Sequence, residues 1–345
     1  MFGFKNFFCN AEQRLQNFRF YVIMYRTQSK EWAMDSLLKT TSAYKQMQAD
    51  AKNGALHHAY LLILDDARNL RTALKTFAKL VFLGDERVSK LIDSESFSDC
   101  LFFPEADKKF VVEDAERVSE EATLQPVEGN KKVFVIGDFA QVNATSQNKL
   151  LKLLEEPPKS ACFLLGATTQ FPVLPTVLSR VKKLEIPPFD TGEIVSCLER
   201  IYKSRFDKND YALCAAASGG CIGQAQNMLE GGTYKAMIDD AFSLVLVSPS
   251  ALPALIKRVG ESKRKKELLA LLRMIFRDAL LIKTGLKEEN TFLRAESARL
   301  LRVAEKYTSA MLVRAQDEIG KAEREVAFNA VFPQCLEVLL GRINK

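Results

Sequence analysis

Glycine is scarce in this chain. Only 16 of 345 residues are glycine, below the usual share of roughly 7%. That excludes a collagen-like repeat and leaves little material for flexible linkers or for several phosphate-cradling loops. Histidine is scarcer still: His57 and His58 are the only two, and adjacent imidazoles cannot by themselves make a metal site. The seven cysteines, Cys9, Cys100, Cys162, Cys197, Cys214, Cys221 and Cys335, are odd in number and contain no C-x-x-C pair. They sit mostly in apolar runs, as free thiols do in a reducing compartment. Long apolar runs are missing too. The longest early one, Phe20 to Tyr25, is far short of the roughly 20 residues that span a bilayer, and no signal-peptide core is present. The expectation is a cytoplasmic protein with no membrane partner. No internal repeat or low-complexity tract is visible.

What is present is ordinary for a globular protein: 47% hydrophobic and 27% charged residues. The length suggests two or three domains. The net charge of +6 is unevenly placed, because residues 251–345 carry 19 Lys and Arg against 12 Asp and Glu. A basic C-terminal third could face nucleic acid or an acidic partner, but an excess this modest also fits a solvated helical surface. Its most basic run, Ser262-Lys263-Arg264-Lys265-Lys266, lacks interleaved aromatics and reads as a solvated helix start.

Short apolar runs alternate with helical periods up to about residue 188. The candidate strands are 59–64, 100–103, 133–136, 162–165 and 181–186. Candidate helices run over 71–82 and 146–156, the second stopped by Pro157-Pro158. This alternation predicts a parallel α/β sheet with helices on both faces. From Thr191 the strand signals stop. Breaks at Ser218-Gly219-Gly220, Gly231-Gly232, Pro249 and Pro253 separate amphipathic helices, among them 265–281 and 297–318. The expected domains are an α/β domain over 1–188, a small helical domain over 189–248 and a larger helical bundle over 249–345. Residues 1–55 are mostly polar-helical in pattern, with a few aromatics, and say little more.

Residues 126–183 hold the most specific string. Pro126-Val127-Glu128-Gly129 leads into a strand, and Leu150-Leu151-Lys152-Leu153-Leu154-Glu155-Glu156-Pro157-Pro158 is a helix with a proline stop. Ala167-Thr168-Thr169 ends a strand, and Leu178-Ser179-Arg180 precedes the next. In order and spacing these resemble the clamp-loader branch of the AAA+ ATPases, and within it the delta-prime subunits of bacterial DNA polymerase III. The likeness covers roughly residues 56–231, and the C-terminal bundle more loosely. It implies a AAA+ α/β domain, a helical lid domain and a helical collar. Within that collar Arg277-Asp278-Ala279-Leu280-Leu281 and the stretch from Val326 to Leu340 resemble family helices.

An ATPase of this type needs G-x-x-x-x-G-K-[ST] after its first strand, whose amides cradle phosphates while the Lys reaches them and the hydroxyl holds Mg²⁺. Aligned on His58-Ala59-Tyr60-Leu61 and Phe77-Ala78-Lys79, this chain places Leu64 and Asn69 at the glycines. Leu70 then stands at the Lys and Arg71 at the hydroxyl. Asp65 and Asp66 would repel phosphate, and no G-K-[ST] occurs anywhere in the chain. The acidic pair expected at the end of the third strand is Gly137-Asp138, where Asp138 alone reads as a turn residue or helix cap. A sensor-2 arginine is expected near Gln224, which is itself glutamine. Thr168 and Thr169 take the sensor-1 place and would satisfy the strand end. Relatives also hold a four-cysteine zinc module before the second strand, where only Cys100 lies here, so no zinc is expected.

One element of the machinery survives. Ser179-Arg180 stands where the family presents an arginine finger to a neighbouring subunit's ATP, a role suited to a planar, permanently charged fork. The bland alternative is a surface Arg in a salt bridge. The resemblance therefore implies a non-catalytic clamp-loader subunit that uses no cofactor. It would be part of a DNA polymerase holoenzyme without hydrolysing ATP itself. Its partners would be clamp-loader ATPase subunits and a delta-type subunit, and through them the sliding clamp and primed DNA. The competing readings are an active gamma-type ATPase and a stand-alone basic DNA-binding protein.

Overall fold

The computed structural model describes residues 33–344 apart from 106, 107, 233, 263, 286 and 288–290. Lys263 of the basic run and most of the first 55 residues therefore lie outside the described residues. The chain divides into two compact units, Met1–Pro188 and Phe189–Lys345.

The short apolar runs of the first unit become strands β1 (Ala59–Ile63), β2 (Cys100–Phe103), β3 (Lys132–Asp138), β4 (Ala161–Ala167) and β5 (Lys182–Glu185). They form one sheet in the order β2-β3-β4-β1-β5, and every pairing is parallel. Central β4 is buried along its whole length, which is why it reads as a continuous apolar run rather than an alternating one. Alternate residues serve opposite faces. Leu61, Phe134, Ile136, Phe163 and Leu165 share one apolar cluster with helices α4 (Val112–Ala122) and α5 (Ala144–Glu155). Paired Phe134 and Phe163 stack there with ring centroids 5.3 Å apart. Against the opposite face lies α2 (Leu70–Val81), with Leu74 and Phe77 buried. Gly166 permits this close approach, since a Cβ there would come within 2.7 Å of Leu74 Cδ1.

Helix α1 (Ser42–Lys52) packs beside α2, with Tyr44 edge-on to Phe77. Sequence patterning missed α3 (Glu86–Asp93) and α4. Both are rich in charge: α3 buries only Ile92, and α4 faces the sheet with Ala115, Val118 and Ala122. Asn143 caps α5 by accepting from Ser146 N at 2.8 Å. A short helix, α6 (Pro175–Leu178), precedes β5.

The second unit is helical: α7 (Thr191–Tyr202), α8 (Lys208–Ala217), α9 (Ile222–Glu230), α10 (Tyr234–Leu246), α11 (Leu252–Gly260) and α12 (Lys265–Lys283), then α13 (Ser297–Lys306), α14 (Ser309–Ala327) and α15 (Phe332–Ile343). The single helix expected over 297–318 is two. Tyr307 is buried, and its hydroxyl donates to Val245 O at 2.9 Å. Thr308 is extended and restarts the helix by accepting from Met311 N at 3.3 Å. A tertiary anchor thus interrupts a continuous amphipathic pattern. Thr308→Ala should lower stability by about 1 kcal/mol, the usual worth of such a cap, while Thr308→Asp should retain it. Urea unfolding followed by circular dichroism checks both, and an unchanged midpoint in the alanine variant would show that the cap contributes nothing. No helix among the described residues is long and apolar enough to cross a membrane.

Candidate functional site

The eight residues from Leu64 to Arg71 form the turn from β1 into α2, the place a phosphate loop would occupy. Leu64 N donates to Ala167 O at 3.0 Å, so the loop leaves the sheet tied to β4. Leu64 and Leu70 turn inward and are buried. Asp66 is also buried, at 3% exposure. Its carboxylate accepts from Asn69 N at 3.1 Å and from Asn69 Nδ2 at 2.8 Å. A helix N-terminus favours an anion because its first amides lack intrahelical partners. Here the Asp66 carboxylate of the same loop bonds the N-cap residue, Asn69, just ahead of those amides.

Arg71, at the hydroxyl position, points away from the loop. Its Nε and Nη2 hold Glu95 at 2.6 and 2.5 Å, its Nη1 donates to Pro104 O at 3.1 Å, and its guanidinium lies over Phe102. Burial pushes the Glu95 carboxyl upward, but Arg71 and Lys75 outweigh it and hold Glu95 below the ordinary carboxylate range. Arg71 thus ties the start of α2 to the end of β2. A nucleotide's phosphates do not fit this loop. Two leucines fill the core side, a buried carboxylate stands just ahead of the helix, and Leu70 brings no cation to the ligand.

Gly137 lies at a β-bulge, where the register to β4 shifts between Ile136 and Asp138. The Asp138 carboxylate accepts from Thr168 N at 3.2 Å and from Gln141 Nε2 at 2.8 Å, and Thr168 Oγ1 lies 3.3 Å away. Asp138 therefore joins the ends of β3 and β4, and its acceptor capacity is used locally. Thr169 Oγ1 lies 3.5 Å from Phe171 N in the following turn. Gln224 belongs to α9 of the second unit and is half-buried.

Ser179 and Arg180 occupy the turn between α6 and β5. Arg180 is folded back on its own unit. Its Nη2 is 2.6 Å from Glu155 Oε1 at the end of α5, and its Nη1 donates to Thr176 O at 2.7 Å and Ser179 Oγ at 3.1 Å. Beneath this turn the His58 ring lies beside the backbone of Leu154 and Arg180, and its buried Nε2 makes no hydrogen bond of ordinary geometry. Burial pulls the imidazole below its usual value and His57 adds to the fall, while those backbone groups offset part of it.

Sequence reasoning did not find the Glu155 partner or the Asp66 capture. The Asp66-x-x-Asn69 spacing carried a turn signal for the second; the first crosses 25 residues and had none. Cys100, Cys162, Cys197, Cys214, Cys221 and Cys335 are free thiols, and burial pushes Cys162 up to about 12, which makes it inert. Among the described residues no group of three or more His, Cys, Asp or Glu is arranged to hold a metal ion.

Residues 39–190 match the family model described as "DNA polymerase III, delta subunit". The chain is similar to the DNA polymerase III subunit gamma of Buchnera aphidicola subsp. Baizongia pistaciae, 29% identical over 43% of this chain and 42% of that protein. It is similar to the subunit tau/gamma of Haemophilus influenzae, 30% identical over 44% of this chain and 23% of that protein. It also resembles the subunit tau of Bacillus subtilis, 23% identical over 78% of this chain and 54% of that protein. The chain thus spans less than half the length of the first two relatives. The family-model match thus falls on the α/β region, with its parallel sheet and the Ser179-Arg180 turn before β5, and it is there that the chain resembles bacterial DNA polymerase III clamp-loader subunits.

Proposed function

We propose that this chain is a non-catalytic, delta-prime-like subunit of a bacterial clamp loader, acting in DNA replication without hydrolysing ATP itself. The observation that carries this reading is the buried Asp66 carboxylate at the start of α2, bonded to Asn69 N and Nδ2. An anion already just ahead of the helix opposes a second one, and Leu70 offers no lysine to overcome that repulsion. In the assembly, Arg180 would serve a neighbouring ATPase subunit as an arginine finger, with Ser179 beside it. Residues 189–248 would form the lid domain and 249–345 the collar. Contact with the sliding clamp and primed DNA would come through the ATPase and delta-type partners.

The gamma and tau names of the relatives favour a second reading, an active ATPase. Nucleotide binding by the purified full chain separates the two. Equilibrium dialysis with Mg²⁺-ATP and with ADP should give no saturable binding below millimolar concentration. Micromolar binding of either would overturn the non-catalytic reading.

A further inference from the structure

The ring of contacts around Arg180 bears on how its proposed role is controlled. Three acceptors surround the guanidinium, and all come from its own unit: Glu155 Oε1, Thr176 O and Ser179 Oγ. Both terminal nitrogens, Nη1 and Nη2, are committed to them. A guanidinium stabilises phosphate through those same nitrogens, in a bidentate fork. Arg180 therefore cannot present its fork to a neighbour's phosphates while Glu155 holds Nη2. A carboxylate at 2.6 Å also offsets the positive charge that a finger delivers. Thr176 and Ser179 are neutral, so Glu155 is the one charged competitor among these three.

We propose that Glu155 is a positioning residue for Arg180, an internal competitor that holds the fork folded back until a neighbour's phosphates displace it. This rests on the reading of Arg180 as a finger. The geometry suits a releasable hold. The Glu155 side chain is 48% exposed and that of Arg180 33% exposed, and ion pairs this open are weak. Glu155 ends α5 immediately before Glu156-Pro157-Pro158, so the helix stop fixes where the carboxylate sits. His58 lies under the same corner, beside the backbone of Leu154 and Arg180. A folded-back fraction acts as a tax on association. The apparent affinity for the neighbour falls by the fraction of chains whose Arg180 is free to project.

The test titrates the full chain into a fixed amount of its clamp-loader ATPase partners and follows ATP turnover. Glu155→Gln removes the charge while preserving shape. It should lower the half-saturating concentration by about one and a half- to fivefold, the range an exposed ion pair supports, with little change in maximal turnover. The gain should shrink as salt rises, because salt screens the wild-type pair. In an Arg180→Ala background Glu155→Gln should have no effect, whereas a structural role for Glu155 would persist there. Glu155→Asp, which keeps the charge on a shorter stem, should fall in between and serves if the Gln variant folds poorly. Unchanged or weaker activation by Glu155→Gln, alongside a loss caused by Arg180→Ala, would overturn the proposal and leave the finger reading intact. No loss from Arg180→Ala would overturn the finger reading itself.

Discussion

Arg180→Ala should slow ATP turnover at the neighbouring site of the proposed assembly by about a thousandfold, the low end of what a finger supplied in trans contributes. The effect is large because the transition state spreads charge over the phosphoryl oxygens, in a place where water is excluded and each donor counts for more than in solution. Arg180→Lys should recover only part of the loss, since an ammonium keeps the charge without the planar fork. In the proposed assembly other ATP sites would keep their own partners. The bulk steady-state rate would then fall only by this site's share, so single-turnover hydrolysis is the measurement that decides. The isolated variant should be as stable as the parent, within about 1 kcal/mol, because the Arg180 contacts are partly exposed. A single-turnover rate within threefold of wild type would remove Arg180 from the mechanism.

The sheet was legible because burial on both faces leaves uninterrupted apolar runs. Four residues of β2 and the core of β4 could be read directly, and their boundaries differ from expectation by only a few residues at each end. The position of Ser179-Arg180 was legible through the resemblance of Leu178-Ser179-Arg180 to a family motif rather than through patterning, since α6 and β5 are four residues each and bury only Val177 and Leu184. Its surroundings were not. Glu155 reaches Arg180 from the end of another helix, and nothing local to either residue announces the pairing. The phosphate-loop position lay in the spacing between β1 and α2, but what replaced the phosphate did not. Asp65 and Asp66 read alike as repulsive charges. In the fold, Asp65 is exposed while Asp66 is buried against Asn69. One-dimensional patterns report which face a residue serves, and they fail where a polar side chain is satisfied by something distant. Tyr307 and Asp278 in the helical unit are further cases, each buried and each bonded across more than ten residues.

Asp99→Ala should lower the stability of the α/β unit by about 2–4 kcal/mol. Asp99 is fully buried, just before β2. Its Oδ1 accepts from Val127 N at 2.6 Å, and its Oδ2 accepts from Glu128 N at 2.8 Å and Gly129 N at 2.9 Å. One carboxylate thus satisfies three consecutive amides of the turn that feeds β3, and its own carbonyl accepts from Val133 N at 2.8 Å. Removing the side chain leaves three donors with no acceptor on the protein side. Because Glu128 and Gly129 are exposed, water recovers part of the cost, which keeps the estimate below the sum of three charged hydrogen bonds. Asp99→Asn separates the charge from the shape. Its one carbonyl oxygen can keep the Glu128 and Gly129 amides, while its NH₂ group then faces the Val127 donor, so an intermediate loss is expected. Urea unfolding by circular dichroism gives the ranking, and hydrogen exchange localises it: amides 127–129 and β2–β3 should lose protection while α12 and α14 keep theirs. A midpoint unchanged in the alanine variant, or protection lost equally in both units, would show that this turn is held by something other than Asp99.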